Sequence, residues 1–520
     1  MSCSRPIDPT LESRILLAEL TLERLRTEAN ALMEEISREF YLSHAGLKPD
    51  AELVPIYARH AAVVSDDALA LARDEYRGAA KDSEAQRAAR ILLDFVVDTR
   101  AQRALAPSEE REIAWESTAM VHLGDGRAIP YARTAIEIGN STDRRERSIL
   151  DTARATLVEA ELAPIRLERL QREVDLVVGM EIAPSYNATF EALSGIDLAK
   201  LMGECEGFLR DTAELWRELL PSAVKRSLGV PVSDLTRADA LALFRAPQFD
   251  GAFPGNAMEP AVRRQMGEMR MDPDAGGRVR FDVGEREGKR ARAFCAPVRV
   301  PEEIYLVLRP HGGQGDYMTL LHELGHAVHF AYTRADFPFE YRWAGDNSVT
   351  ESYAMLFDHL TQNRGWLARY TGLGRDLPAY LRAAALEELH FLRRYSAKLI
   401  YEVQLYGGRL PWSSLPDLYV ETLSSATSFL YSRSDAFVDI DPRFYSARYL
   451  RAWQLGALLA QSLVEQFDAD WYRNPRTGPW LVENLFAEGQ RETADEIARR
   501  VTDRSLSFTP VISALEGLLG

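Results

Sequence analysis

Apolar residues recur at helical spacing over most of this chain. Over residues 11–41, Ile15, Leu16, Leu20, Leu25, Leu32, Ile36 and Phe40 fall on one stripe, which predicts a helix. The same spacing predicts helices over 67–77, 85–104, 108–120, 143–160, 163–178, 198–220 and 237–244, with Ser141-Thr142 as a cap before the fourth of these. No repeat of fixed period is visible, so the pattern is not that of a solenoid. No catalytic constellation occurs before residue 245.

The pattern changes near Ala246. Pro247 to Asn256 is rich in proline and glycine and reads as a crossing between lobes, and Asp272-Pro273-Asp274-Ala275-Gly276-Gly277 is a second breaker. Residues 279–283, 291–300 and 304–308 alternate or run apolar, predicting a small antiparallel sheet. Its edge would either hold an extended peptide by main-chain hydrogen bonds or be a purely structural hairpin. A glycine loop from His311 to Gly315 follows, with Asp316 as N-cap of a helix running to about Thr333. Further helices are predicted over 348–362, 378–404, 413–432, 444–467 and 493–501. Three segments result: a helical lobe over 1–245, a loop and sheet segment over 246–310, and a second helical lobe over 311–520.

Composition narrows the partners. The 62 Lys and Arg against 78 Asp and Glu leave a net charge of −16, which argues against nucleic acid or an anionic membrane surface. Cys3, Cys205 and Cys295 lie far apart without metal or redox spacing, as expected in a reducing compartment. With no basic-then-apolar start and no run of about 18 apolar residues, the expected location is the cytoplasm. Asn140 and Asn187, in N-x-S/T contexts, then carry no meaning as glycosylation sites.

The chemistry concentrates in Leu320-Leu321-His322-Glu323-Leu324-Gly325-His326-Ala327-Val328-His329. His322 and His326, four apart on a helix, project from one face, so two ring nitrogens reach one tetrahedral metal ion. Glu323 stands beside the first ligand, placed to hold a water against the metal. A catalytic zinc site needs a third protein ligand. Glu351, 29 positions after His322 in Ser348-Val349-Thr350-Glu351-Ser352-Tyr353, opens a helix and fills that role; the alternative is a capping box between Ser348 and Glu351. His329 reads as a supporting or packing group, His311 as an exposed loop histidine, and Asp358 and His359 as surface or supporting groups.

The run T-L-L-H-E-L-G-H-A-V-H followed by T-E-S-Y-A-M-L-F-D-H-L resembles the thimet oligopeptidase/oligoendopeptidase F family of zinc metallopeptidases. Phe281-Asp282-Val283 through Ala293-Phe294-Cys295 resembles the sheet before that family's zinc helix, and Arg443-Phe444-Tyr445-Ser446-Ala447-Arg448-Tyr449-Leu450 its tyrosine-bearing segment. The resemblance covers about residues 279–500. It implies a mainly α fold with two helical lobes flanking a deep substrate groove, one zinc ion per chain held by His322, His326 and Glu351, and Glu323 polarising the attacking water. It also implies Tyr449 or Tyr445 as donor to the oxyanion, where aromatic packing is the alternative reading. The implied substrates are short unstructured peptides. Two departures stand out: Ile440-Asp441-Pro442 occupies the place where the family carries a histidine, and Ala452 replaces a further tyrosine. Arg448 and Arg451 are alternative donors on sequence proximity.

Three other readings compete. A zinc carboxypeptidase of the helical type also uses an H-E-x-G-H helix, but its second motif reads H-E-S-Q where T-E-S-Y stands here. A peptide-binding protein could keep zinc without turnover, and the motif could be a chance match on a structural helix. Cleavage preference, physiological substrate and oligomeric state are not written in the sequence.

Overall fold

Local chemistry sets where the helices start. Thr21, Ser65, Ser83, Asp143, Ser185 and Asp197 each accept a backbone N–H from the first turn of the helix they precede. The computed structural model describes residues 20–49, 51–290 and 293–519 and is mainly α-helical with two small sheets. Six helices organise the argument: α1 (Leu22–His44), α2 (Glu84–Thr118), α3 (Gln314–Tyr332), α4 (Asn347–Asp358), α5 (Leu377–Tyr406) and α6 (Tyr445–Phe467).

Several boundaries differ from those the pattern predicts. The start expected near residue 11 lies outside the described residues. The predicted helices over 85–104 and 108–120 are one, α2, which runs through Pro107. Proline removes one helical N–H there, but Ala101, Leu105, Ser108 and Glu112 on either side are buried, and packing holds the helix together. Asp143, not Ser141-Thr142, caps the next helix by accepting from Arg145 N at 2.8 Å. That helix passes through a π turn at Val158–Leu162 into Ala163–Gly179. The run over 198–220 divides at Thr212, whose hydroxyl donates back to Phe208 O and accepts from Arg393. Periodicity missed the short helices Leu53–Arg59, Tyr131–Asn140 and Tyr186–Ser194, and a hairpin of β1 (Met120–His122) and β2 (Ala128–Pro130).

The sheet before the motif helix is mixed rather than wholly antiparallel. β3 (Val279–Val283), β4 (Phe294–Arg299) and β5 (Glu303–Leu308) stand in the order β3-β5-β4. β5 pairs parallel with β3, Val279 opposite Ile304, and antiparallel with β4, Cys295 opposite Leu306. The chain crosses from β3 to the outer strand and returns by a tight turn to the centre. Sequential strands are therefore not all neighbours, which alternation alone does not reveal.

Two large apolar cores result, with two small clusters beside them among the described residues. One joins the N-terminal helices to α5 and the first half of α6 through Leu25, Leu92, Phe190, Leu389, Tyr401 and Leu450. The other lies under the sheet, α3, α4 and the second half of α6, with Ile304, Leu320, Leu324, Tyr353 and Leu458. Among the contacts between the N-terminal helices and the rest, two bear on the sheet and on α6. On α1, Tyr41 stacks on Tyr305 with ring centres 3.8 Å apart, and Arg38 pairs with Glu303 at 2.9 Å. On α2, Asp94 receives Arg443 and, at 3.2 Å, Arg448 at the head of α6. Among the described residues, no helix is long and apolar enough to cross a membrane.

Candidate metal centre

The motif helix α3 begins at Gln314 behind Gly313, whose φ of 92° suits glycine. Asp316 is not its cap. Sitting inside the first turn, it reaches back to accept the N–H groups of His311 (2.7 Å) and Gly312 (2.8 Å) and so closes the glycine loop. Helix α4 is capped by Asp346, which accepts from Ser348 N at 2.9 Å. This removes the capping-box role for Glu351 and leaves its carboxylate available to the site.

Gly325, the fourth residue of the histidine motif, allows α3 and α4 to meet. A Cβ at this position would lie 2.6 Å from Ala354 Cα and 2.7 Å from Tyr353 O. The crossing brings Glu351 over the two histidines: its Oε2 stands 3.4 Å from His322 Nε2 and 3.7 Å from His326 Nε2. One ligand atom from each of the three residues lies within 4.8 Å of the others, so the group could hold a metal ion. Tetrahedral zinc ligands at bond lengths of about 2.0–2.2 Å stand about 3.3–3.6 Å apart, close to what is found. Glu351 Oε2 is also buried without a hydrogen-bond partner, a costly state that a cation would relieve.

The other ring nitrogens are held from behind. His322 Nδ1 meets Asp358 Oδ2 at 2.8 Å, and Asp358 Oδ1 meets His359 Nδ1 at 2.6 Å. His326 Nδ1 and His329 Nδ1 share Thr350 Oγ1, at 2.9 and 3.1 Å. His329 is thus a supporting group; it is buried and stands outside the ligand set. Burial opposes charge on His322, but the carboxylates of Asp358 and Glu351 beside it prevail and push its pKa up to about 10. Burial takes His326 down to about 4, against the pull of Glu351. Burial likewise opposes charge on Glu351, yet His326 and His322 hold its carboxyl below the ordinary value.

Glu323 Oε2 accepts the backbone N–H of Cys295 at 2.9 Å, tying the residue between the histidines to edge strand β4. Cys295 thereby points its N–H away from β5. Two residues on, Pro297 has none to offer, so this edge has few donors for an added strand. Both tyrosines of the C-terminal segment reach the site. The Tyr445 hydroxyl donates to Glu351 Oε1, and burial followed by that carboxylate holds its own pKa well up. Tyr449 stacks beside Tyr445, ring centres 5.7 Å apart, and lines the cavity. Arg448 and Arg451 do not line it. They pair with Asp94 and, at 2.5 Å, with Asp495.

The cavity measures about 490 Å³ and is lined by residues from Cys295 to Tyr449; among the described residues, none of the first 245 lines it. Asn347, Thr350 and Tyr395 are lining residues that the sequence did not single out, and Asp441 lines the cavity as well. Asp441 occupies the stretch where the family resemblance leads one to expect a histidine, and Lys398 Nζ holds it at 2.9 Å.

Comparison with known proteins gives a fold and no closer relationship. No protein-family profile matches the chain, and no curated protein matches it. Among solved structures, one described as "BsuCP Crystal Structure" shares the fold with a TM-score of 0.58, covering 95% of this chain and 96% of that one at 14% identity.

Proposed function

We propose that this chain is a zinc-dependent metalloendopeptidase acting on short unstructured oligopeptides, of the thimet oligopeptidase/oligoendopeptidase F type. The convergence of His322 Nε2, His326 Nε2 and the unpartnered Glu351 Oε2 on one point, with Glu323 anchored beside them, carries this reading. Two imidazoles and one carboxylate form the ligand set of catalytic zinc with an open position. Zinc held there supplies Lewis acidity, polarising a peptide carbonyl and acidifying a water.

The chain's own residues do the rest. Asp358 accepts the Nδ1–H of His322, leaving Nε2 as the free donor atom. His326, ligating through Nε2, keeps its Nδ1–H for Thr350, whose hydroxyl hydrogen then points to His329 Nδ1. Glu323 takes the proton of the attacking water on its carboxylate and delivers it to the leaving amine. Tyr449 donates to the developing oxyanion. Tyr445 holds Glu351 in place.

The cavity walls favour internal cleavage over a carboxypeptidase. Among the described residues, neither the metal cavity nor the cavity beside it is lined by a Lys or Arg that could receive a C-terminal carboxylate. The carboxypeptidase reading persists as the second, because the shared fold does not distinguish the position of the cut. The widely spaced cysteines and the acidic net charge support a cytoplasmic protein without nucleic-acid or membrane partners.

Hydrolysis of a mixed pool of short peptides, read by mass spectrometry with wild type beside Glu323→Gln, tests the proposal. Internal cuts by wild type and near-silence from the variant are expected. Trimming of single C-terminal residues would move the reading to a carboxypeptidase. Silence from zinc-loaded wild type would leave a peptide-binding protein.

A further inference from the structure

A second cavity of about 160 Å³ adjoins the metal cavity, sharing His322 and Tyr449 with it. Its walls are apolar: Met318, Met355, Phe391 and Trp453 line it. Met318 and Phe391 are 45% and 38% exposed, so the apolar wall continues to an open mouth. One face of α5 floors both cavities. Tyr380, Ala384, Glu387 and Phe391 line the second, and Tyr395, one turn further on, lines the first. Glu387 and Tyr395 are eight residues apart, about 12 Å along the helix, which an extended peptide spans in three to four residues.

The charges in this second cavity are unequal. Asp358 is matched by His322 and His359. Glu388 accepts from His359 Nε2 (3.0 Å), Gln362 Nε2 (3.3 Å) and the Trp453 indole. Glu387 makes no hydrogen bond or ion pair with any described residue, although it is half-buried. No Lys or Arg lines the space. Burial, and then neighbouring Glu388, push its carboxyl up to about 7. A carboxylate in that state lacks a cation: Arg226 and Arg382 share a separate cavity with Glu387, yet among the described residues neither pairs with it.

We infer that this cavity is a specificity pocket for a lysine or arginine side chain of the bound peptide, with Glu387 receiving the charged tip. The inference rests on the peptidase reading above. The methylenes of such a side chain suit the Met and aromatic walls, and its cation suits the one carboxylate left unmatched. An uncharged straight chain would fill the same walls and leave Glu387 unpaired.

The test uses blocked alanine-rich nonapeptides in which one lysine is walked through every position, each beside its norleucine counterpart. Wild type should cleave the best lysyl peptide roughly tenfold to a hundredfold more efficiently in kcat/KM than its norleucyl twin. Glu387→Gln should bring that ratio near one, and Glu387→Lys should favour a glutamyl peptide instead. Zinc content and circular dichroism of the variants confirm folding. A wild-type ratio near one at every position, or a ratio unchanged in Glu387→Gln, overturns the inference. Affinity measured calorimetrically on zinc-loaded Glu323→Gln separates the two readings. A lysyl preference lost on adding Glu387→Gln supports the pocket even if wild type cuts nothing, in which case only the peptidase reading falls.

Discussion

His322 and Asp358 stand 2.8 Å apart, Nδ1 to Oδ2, so the nitrogen that faces Glu351 is the other one. Asp358 therefore chooses, from the far end of α4, the tautomer of a histidine that could hold a metal ion. Asp358→Ala should weaken zinc binding about tenfold to a hundredfold, read by competition with a chelating dye, with the helical circular dichroism retained.

Gly325 lets α3 and α4, which carry the candidate ligands, come into close contact. Gly325→Ala places a methyl 2.6 Å from Ala354 Cα and forces α3 and α4 apart. It should cost about 1–3 kcal/mol in urea unfolding and leave the protein with substoichiometric zinc by metal analysis.

The two tyrosines should separate by phenotype. Tyr445 donates to a ligand carboxylate, so Tyr445→Phe should loosen zinc binding. Tyr449 lines the cavity beside it. Tyr449→Phe should lower kcat about a hundredfold or more on a good peptide while zinc affinity stays unchanged.

Asp94 on α2 secures the tyrosine-bearing helix by receiving Arg443 and Arg448. Asp94→Ala leaves the buried Arg448 guanidinium without its carboxylate and Arg443 with Asp98 alone (2.9 Å), and should cost about 3 kcal/mol in urea unfolding. Activity should drop with it, because the head of α6 carries Tyr445 and Tyr449.

Glu303 at the start of β5 supplies a pH-dependent clamp. Its hydrogen bond to Arg38, opposed by burial, holds the carboxyl down at about 2, against an ordinary 4.5. The folded value lies below the unfolded one, so ionised Glu303 stabilises the fold above about pH 4.5 and the contribution fades as pH falls toward 2. Unfolding of wild type and Glu303→Gln in excess chelator should show the largest difference at pH 6 and a shrinking one toward pH 3.

Much of the site could be read from residue order because its parts are local. His322, Glu323 and His326 sit on successive positions of one helix, and helical geometry alone puts both imidazoles on one face. Glu351 carried an alternative reading, since Ser348 three residues before it also permits a capping box; Asp346 took the cap instead. Thr350, Cys295, Tyr395 and Asp441 carry no pattern that marks them, because their roles depend on elements far apart in sequence. The same holds for Asp316, whose carboxylate turned back to the loop rather than capping its own helix.

The sequence by itself determined that the chain is mainly helical, where the three strands before the motif helix lie, and that His322, His326 and Glu351 are a group that could hold a metal ion. Those features rest on interactions within a turn or two, which periodicity and capping residues encode directly. Only the tertiary structure decided the parallel pairing of β3 with β5, the continuity of α2 through Pro107, and the partners of Arg448 and Arg451. It also decided which carboxylates are matched and which, like Glu387, are left facing a cavity. Charge compensation and close packing are settled between surfaces that meet only on folding, and residue order alone contains no register for them.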